Sequence, residues 1–131
     1  MLRRNLLLLG VAGVAVLGVT GCATHPVSVQ QATELPAAQL RTCIKRAAHR
    51  RGWRVVTDEP GKMRIKYVKG PHVLVADVTY DNEGYMIEAV KEGSTLFNKD
   101  GTAHRKVNSW TANLTVTIRE EENKILLRQT N

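Results

Sequence analysis

The sequence predicts a small α+β domain: one helix, a four-stranded antiparallel meander, then a second helix, with both helices packed on one face of the sheet. Three observations predict it. Apolar residues recur at helical spacing at Leu40, Cys43, Ile44 and Ala47, which makes one buried stripe on a helix. From Lys62 to Val68 the period changes to two, with Met63, Ile65 and Tyr67 on one face and Lys62, Arg64 and Lys66 on the other. That is the pattern of a strand with one wet face. Short connections, Pro60-Gly61, Gly70-Pro71 and Asp81-Asn82-Glu83-Gly84, join successive strands, and connections that short permit only antiparallel neighbours. Elements that are each apolar on one side bury those sides as two packed layers.

The first 21 residues stand outside this fold. Arg3 and Arg4 precede an uncharged apolar run from Leu6 to Val19. A membrane-spanning helix needs about 20 apolar residues, and this run is too short. A charged start followed by a short apolar run is the layout of a secretory signal. Val19-Thr20-Gly21-Cys22 then follows at once. It resembles the lipobox of bacterial lipoproteins: an aliphatic residue, two small ones and a cysteine. The resemblance implies cleavage after Gly21 and a diacylglyceryl thioether on Cys22, the lipidation site. It also implies that the acyl chains hold the mature chain on a membrane from outside the cytoplasm. Each buried methylene contributes about 0.8 kcal/mol, so two or three chains give stable attachment. In two-membrane bacteria an Asp after the modified cysteine resembles an inner-membrane retention signal. Ala23 stands there instead, which implies the outer membrane for such a host.

Residues 22–32 carry the modified cysteine and a polar stretch with one proline and no periodicity. They read as a tether spanning about 17 Å as flexible coil. Residues 33–124 read as the single domain and 125–131 as a loose tail. Within the domain, Thr33 is the expected N-cap, with Pro36 in the first turn. Gly52 closes the helix in the left-handed conformation that glycine tolerates. The strands are expected at Trp53 to Thr57, Lys62 to Val68, His72 to Tyr80 and Tyr85 to Lys91. Glu92 to Thr102 is a loop. Val107, Trp110, Leu114 and Ile118 make the stripe of the second helix, in preference to a fifth strand over Leu114 to Ile118. Glu121 would fall on that stripe, so the helix is expected to end near it.

The domain resembles a family of small bacterial lipoproteins to which no activity is assigned. The likeness rests on Arg51-Gly52-Trp53 at the end of an arginine-rich helix. It rests also on His104-Arg105-Lys106-Val107-Asn108-Ser109-Trp110 followed by Ala112-Asn113-Leu114. It supports the layout of the fold and carries no catalytic residues with it.

The charge is polarised. The whole chain has a formal net charge of +7, and removal of Arg3 and Arg4 with the leader lowers it to +5. Residues 41–69 alone hold ten Lys or Arg against Asp58 and Glu59. Arg41, Lys45, Arg46, Lys62, Arg64 and Lys66 are the expected contact surface for an anionic partner: anionic lipid, lipopolysaccharide or an envelope protein. The helix set and the strand set fall on one surface or on two. Each cation near a charged surface contributes about 1 kcal/mol, whereas a merely solvated face contributes nothing to binding. Nucleic acid is set aside for an exported chain without a binding motif.

No catalytic group, metal site or cofactor is expected. Cys43 lies on the apolar stripe, where a small buried hydrophobe is the simpler reading. With one thiol besides Cys22, the domain has no internal disulfide. His25, His49, His72 and His104 are scattered, without ligand spacing. Ser94 or Ser109 with His104 and Asp100 is the one cluster of nucleophile and base types, and neither serine sits in a strained elbow. Asp77 is out of character in an apolar strand and needs a cationic partner on whichever face it takes. The reading that results is a non-enzymatic, membrane-anchored interaction module. Its alternative is a ligand-binding or hydrolytic domain with a pocket between helices and sheet.

Overall fold

The computed structural model describes residues 23–130. The strands are β1 (Ala23–Thr24), β2 (Val29–Ala32), β3 (Arg54–Glu59), β4 (Lys62–Lys69), β5 (His72–Tyr80), β6 (Gly84–Val90) and β7 (Ala103–His104). The helices are α1 (Ala37–Arg50) and α2 (Lys106–Thr130). The main sheet has five antiparallel strands in the order β2-β6-β5-β4-β3, and β1 pairs with β7 in a separate two-stranded sheet.

The period-two segments form the expected meander. Ile65 lies opposite Ala76, Met63 opposite Val78, and Val78 opposite Ile87. All five are fully buried. Leu40, Ile44 and Ala47 of α1 meet Val107, Leu114 and Ile118 of α2 over this face in one core. Both helices therefore pack on the same side of the sheet. Trp53 and Trp110 flank the Tyr67 ring at centroid distances of 5.4 and 4.8 Å, which closes the core at its edge. The helices run antiparallel. Gln129 Nε2 donates to Gln39 Oε1 at 3.3 Å, Arg50 reaches Glu121, and Arg51 Nε donates to Thr117 Oγ1 at 2.8 Å.

Three expectations are corrected. The sheet has a fifth strand, and the segment read as a tether supplies it. Gln30, Gln31 and Ala32 pair with Met86, Tyr85 and Gly84. The two glutamines disguise β2 in the sequence, but an edge strand is held by its backbone ladder as much as by its side chains. Gly84 permits this pairing, because a Cβ there would collide with the Gln31 carbonyl. Second, the segment read as a loose tail is helix as far as Thr130, the last described residue. α2 continues past Glu121 because Arg50 and Lys124 reach that carboxylate and compensate its burial. Third, Thr33 is not the N-cap. Pro36 takes that place without a side-chain hydrogen bond, and Thr33 Oγ1 accepts the Leu35 N–H while donating to Glu122. Gly52, with φ +84°, ends α1 as expected, its N–H donating to the His49 carbonyl.

The N-terminal segment is thereby a strap laid along α2. Ala23 pairs with His104. Val27 N–H donates to Asn108 Oδ1 at 2.9 Å, and Asn108 Nδ2 donates to the His25 carbonyl at 3.2 Å. Further along, Arg119 reaches Gln31 and Glu122 receives Thr33. The strap tracks the helix from its first turn to its middle.

Candidate functional site

The six expected contact cations do not share a surface. Arg41 and Lys45 project from α1 onto Asp58, which stands on the helix side of β3 opposite Met63. Arg41 holds that carboxylate through Nε and Nη2, and its hydrogen bond lowers the Asp58 pKa below the ordinary carboxylate range. Lys62, Arg64 and Lys66 lie on the opposite, helix-free face of the sheet. There Arg64 grips Asp77 from the neighbouring strand at 2.7 and 2.9 Å, and Lys62 approaches it at 3.8 Å. Asp77 faces outward, and the Arg64 hydrogen bond is the first cause of its lowered pKa. Four of the six cations thus have acidic partners. Lys66 is exposed on the outer face opposite Arg54, a like charge. Cys22 lies outside the described residues.

Arg46 is different. It belongs to a groove of about 430 Å³ between α1 and α2, lined by Lys45, Arg46, His49, Arg50, Glu121, Lys124 and Arg128. Helix spacing builds it. Lys45, Arg46, His49 and Arg50 share the face of α1 away from Leu40, Ile44 and Ala47, and the antiparallel partner brings Lys124 and Arg128 opposite. Glu121 forms the floor, accepting from Arg50 Nη1 at 2.9 Å and Lys124 Nζ at 3.1 Å. The second Arg50 arm reaches Glu120 at 2.9 Å. Burial raises the Glu121 pKa, but the Lys124 and Arg50 hydrogen bonds outweigh it, and the net shift is downward. The floor is therefore an ionised, satisfied carboxylate. Among the described residues, Arg46 and Arg128 have no ion-pair partner. The groove presents two uncompensated guanidiniums with His49 between helices that are already locked together. Sequence reasoning found Arg46, Lys45 and the basic run. It missed Lys124 and Arg128, whose i, i+4 spacing was the available signal, because the second helix was expected to end near Glu121.

Comparison with protein-family models, curated proteins and solved structures gives no match.

The remaining chemistry-bearing residues are engaged individually. Ser94 Oγ donates to the Val90 carbonyl at 2.6 Å and accepts the Val75 N–H. Asp100 accepts from Thr102. His104 Nδ1 accepts the Lys106 N–H at 3.1 Å, at the start of α2. The His72 and His104 rings are 5.9 Å apart, and no group of three His, Cys, Asp or Glu among the described residues is arranged to hold a metal ion. Cys43 is fully buried, and burial pushes its thiol up to about 11, with Glu122 and Glu121 adding to the effect. No described helix is long and apolar enough to cross a membrane.

Proposed function

We propose that this chain is a lipid-anchored envelope lipoprotein whose domain is a non-enzymatic interaction module, and that the groove between α1 and α2 receives an anionic envelope component. The supporting observation is the groove itself. It collects cations from both helices, and two of them, Arg46 and Arg128, lack acidic partners among the described residues. Guanidinium groups suit such a role because they stay charged and present a planar fork to carboxylate or phosphate oxygens. The six-residue surface expected from the sequence contributes Lys45 and Arg46 to the groove, while Lys62 and Arg64 stabilise the sheet. The lipid attachment at Cys22 rests on the leader and the lipobox-like motif.

The test is binding of the mature chain, its acyl chains held in detergent micelles, to lipopolysaccharide across a salt series. Exchange of Arg46 and Arg128 for Glu is expected to weaken binding by at least about tenfold, from about 1 kcal/mol per cation near a charged surface. Lys66→Glu is expected to change it little. Affinity that ignores both the groove exchange and salt overturns the reading.

A further inference from the structure

For a chain anchored at Cys22, as the lipoprotein reading above has it, the strap has a geometric consequence. The described structure begins at Ala23, already paired with His104. A trans peptide separates successive Cα atoms by about 3.8 Å, so only one peptide unit lies between the acylated residue and the folded surface. Successive fastenings at His25, Val27, Gln31 and Thr33 tie the segment to α2. Nothing of the slack expected of a flexible tether remains. The acyl chains must enter the bilayer at one end of the domain, beside β7 and the first turn of α2.

That end is suited to a headgroup layer. Arg105 is exposed, Lys106 is half-exposed, and neither has an ion-pair partner among the described residues. Val27, 47% exposed, adds apolar surface next to them. The antiparallel pairing of β1 with β7 runs from His104 towards Arg105 in the direction of Cys22. The groove lies at the other end. About 22 Å of helix separates Lys106 from Glu121 at 1.5 Å per residue. A leaflet's electrostatic potential decays within a screening length of about 8 Å at physiological ionic strength. With α2 standing off the leaflet from this end, the field acts on Arg105 and Lys106 and fades before Arg46 and Arg128.

We infer that the β1–β7 end, with Arg105, Lys106 and Val27, is the surface docked on phospholipid headgroups of the anchoring leaflet, and that the groove is held away from that leaflet, open to anions presented from the envelope space. The strap makes the anchor an orienting device. It fixes which end of the domain meets the membrane and which end meets the partner.

The experiment uses the full lipidated chain purified from membranes and reconstituted in vesicles with headgroup-quencher lipids. Fluorescent labels are placed by Ser109→Cys and, separately, Asn123→Cys. Both residues are exposed on α2, near its start and beside the groove respectively. Labelling leaves buried Cys43 untouched. Mass spectrometry first establishes the diacylglyceryl group on Cys22, and an unmodified thiol there sinks the lipoprotein reading itself. With the lipid present, stronger quenching at position 109 than at 123 is expected. A ten-residue Gly-Ser insertion between Cys22 and Ala23 is expected to abolish the difference. Equal quenching at the two positions of the uninterrupted chain, or the reverse order, overturns the orientation while leaving the anchor standing.

Discussion

Arg64 and Asp77 face each other directly across β4 and β5 on the outer face of the sheet and are joined by two parallel hydrogen bonds of 2.7 and 2.9 Å. The pair continues sideways as a ladder, Thr57-Arg64-Asp77-Glu88. A single carboxylate in an apolar strand is thus accommodated by the cation directly opposite it.

Asp77→Asn is expected to lower stability by about 1–2 kcal/mol, a charge-assisted pair discounted for the partial exposure of Arg64. Because the folded pKa of Asp77 is depressed, its contribution is present above the ordinary Asp pKa near 4. It is lost as pH falls through the lower folded value. Urea denaturation at pH 7 and pH 3 checks both parts, with a smaller gap between variant and parent at pH 3 than at pH 7.

Gly84→Ala is expected to cost about 1–3 kcal/mol or more by overpacking. The added Cβ meets the backbone of Gln31, which cannot swing aside as a side chain would. The readout is faster amide exchange at Gln31 and Tyr85, whose pairing the Cβ would pry open, with core amides such as Ile65 slowed nearly as in the parent.

The start of α2 depends on a neutral imidazole. His104 Nδ1 accepts the Lys106 N–H, and burial, with Lys106, His72 and Arg105 contributing, lowers the His104 pKa. A depressed histidine contributes stability above its unfolded value near 6.5, and that contribution is lost as pH falls through the folded value. Melting temperature monitored from pH 8 to 5 is expected to drop through this window. His104→Asn keeps an acceptor and removes the titration, so its profile is expected to be flatter.

Cys43 is expected to resist thiol reagents at pH 8 in the native protein and to react fully in urea, since burial holds the thiol protonated. Cys43→Ser, which places a hydroxyl among apolar side chains, is expected to cost about 1–3 kcal/mol in the same denaturation assay.

The parts of the fold legible in the sequence were those with a clean period. The α1 stripe and the Met63-Ile65-Tyr67 alternation each identify a face without reference to anything distant. β2 was illegible because Gln30 and Gln31 carry no such pattern, and the strand is specified by an edge of β6 that opens only at Gly84. The far half of α2 was hidden for a related reason. Glu121 on an apolar stripe reads as a stop unless Arg50 is known to come across from another helix. The candidate site shows the same division. The basic run located Lys45 and Arg46, but which cations stay free depends on Asp58 and Asp77, whose partners are set by strand register and helix packing. Local composition cannot supply that information.

β3, one of the two edge strands of the sheet, carries a register shift between Val55 and Thr57, and Val55 and Val56 are 39 and 51% exposed. Flat, regular edges invite another chain to add a strand, and an irregularity there interrupts the template. On the lipid-anchored, oriented reading proposed above, copies side by side in one leaflet would share a common upright direction and meet rim against rim more often than in free solution. The irregularity at Val56, with Arg54, Asp58 and Glu59 beside it in β3, would then disfavour strand addition between neighbouring copies.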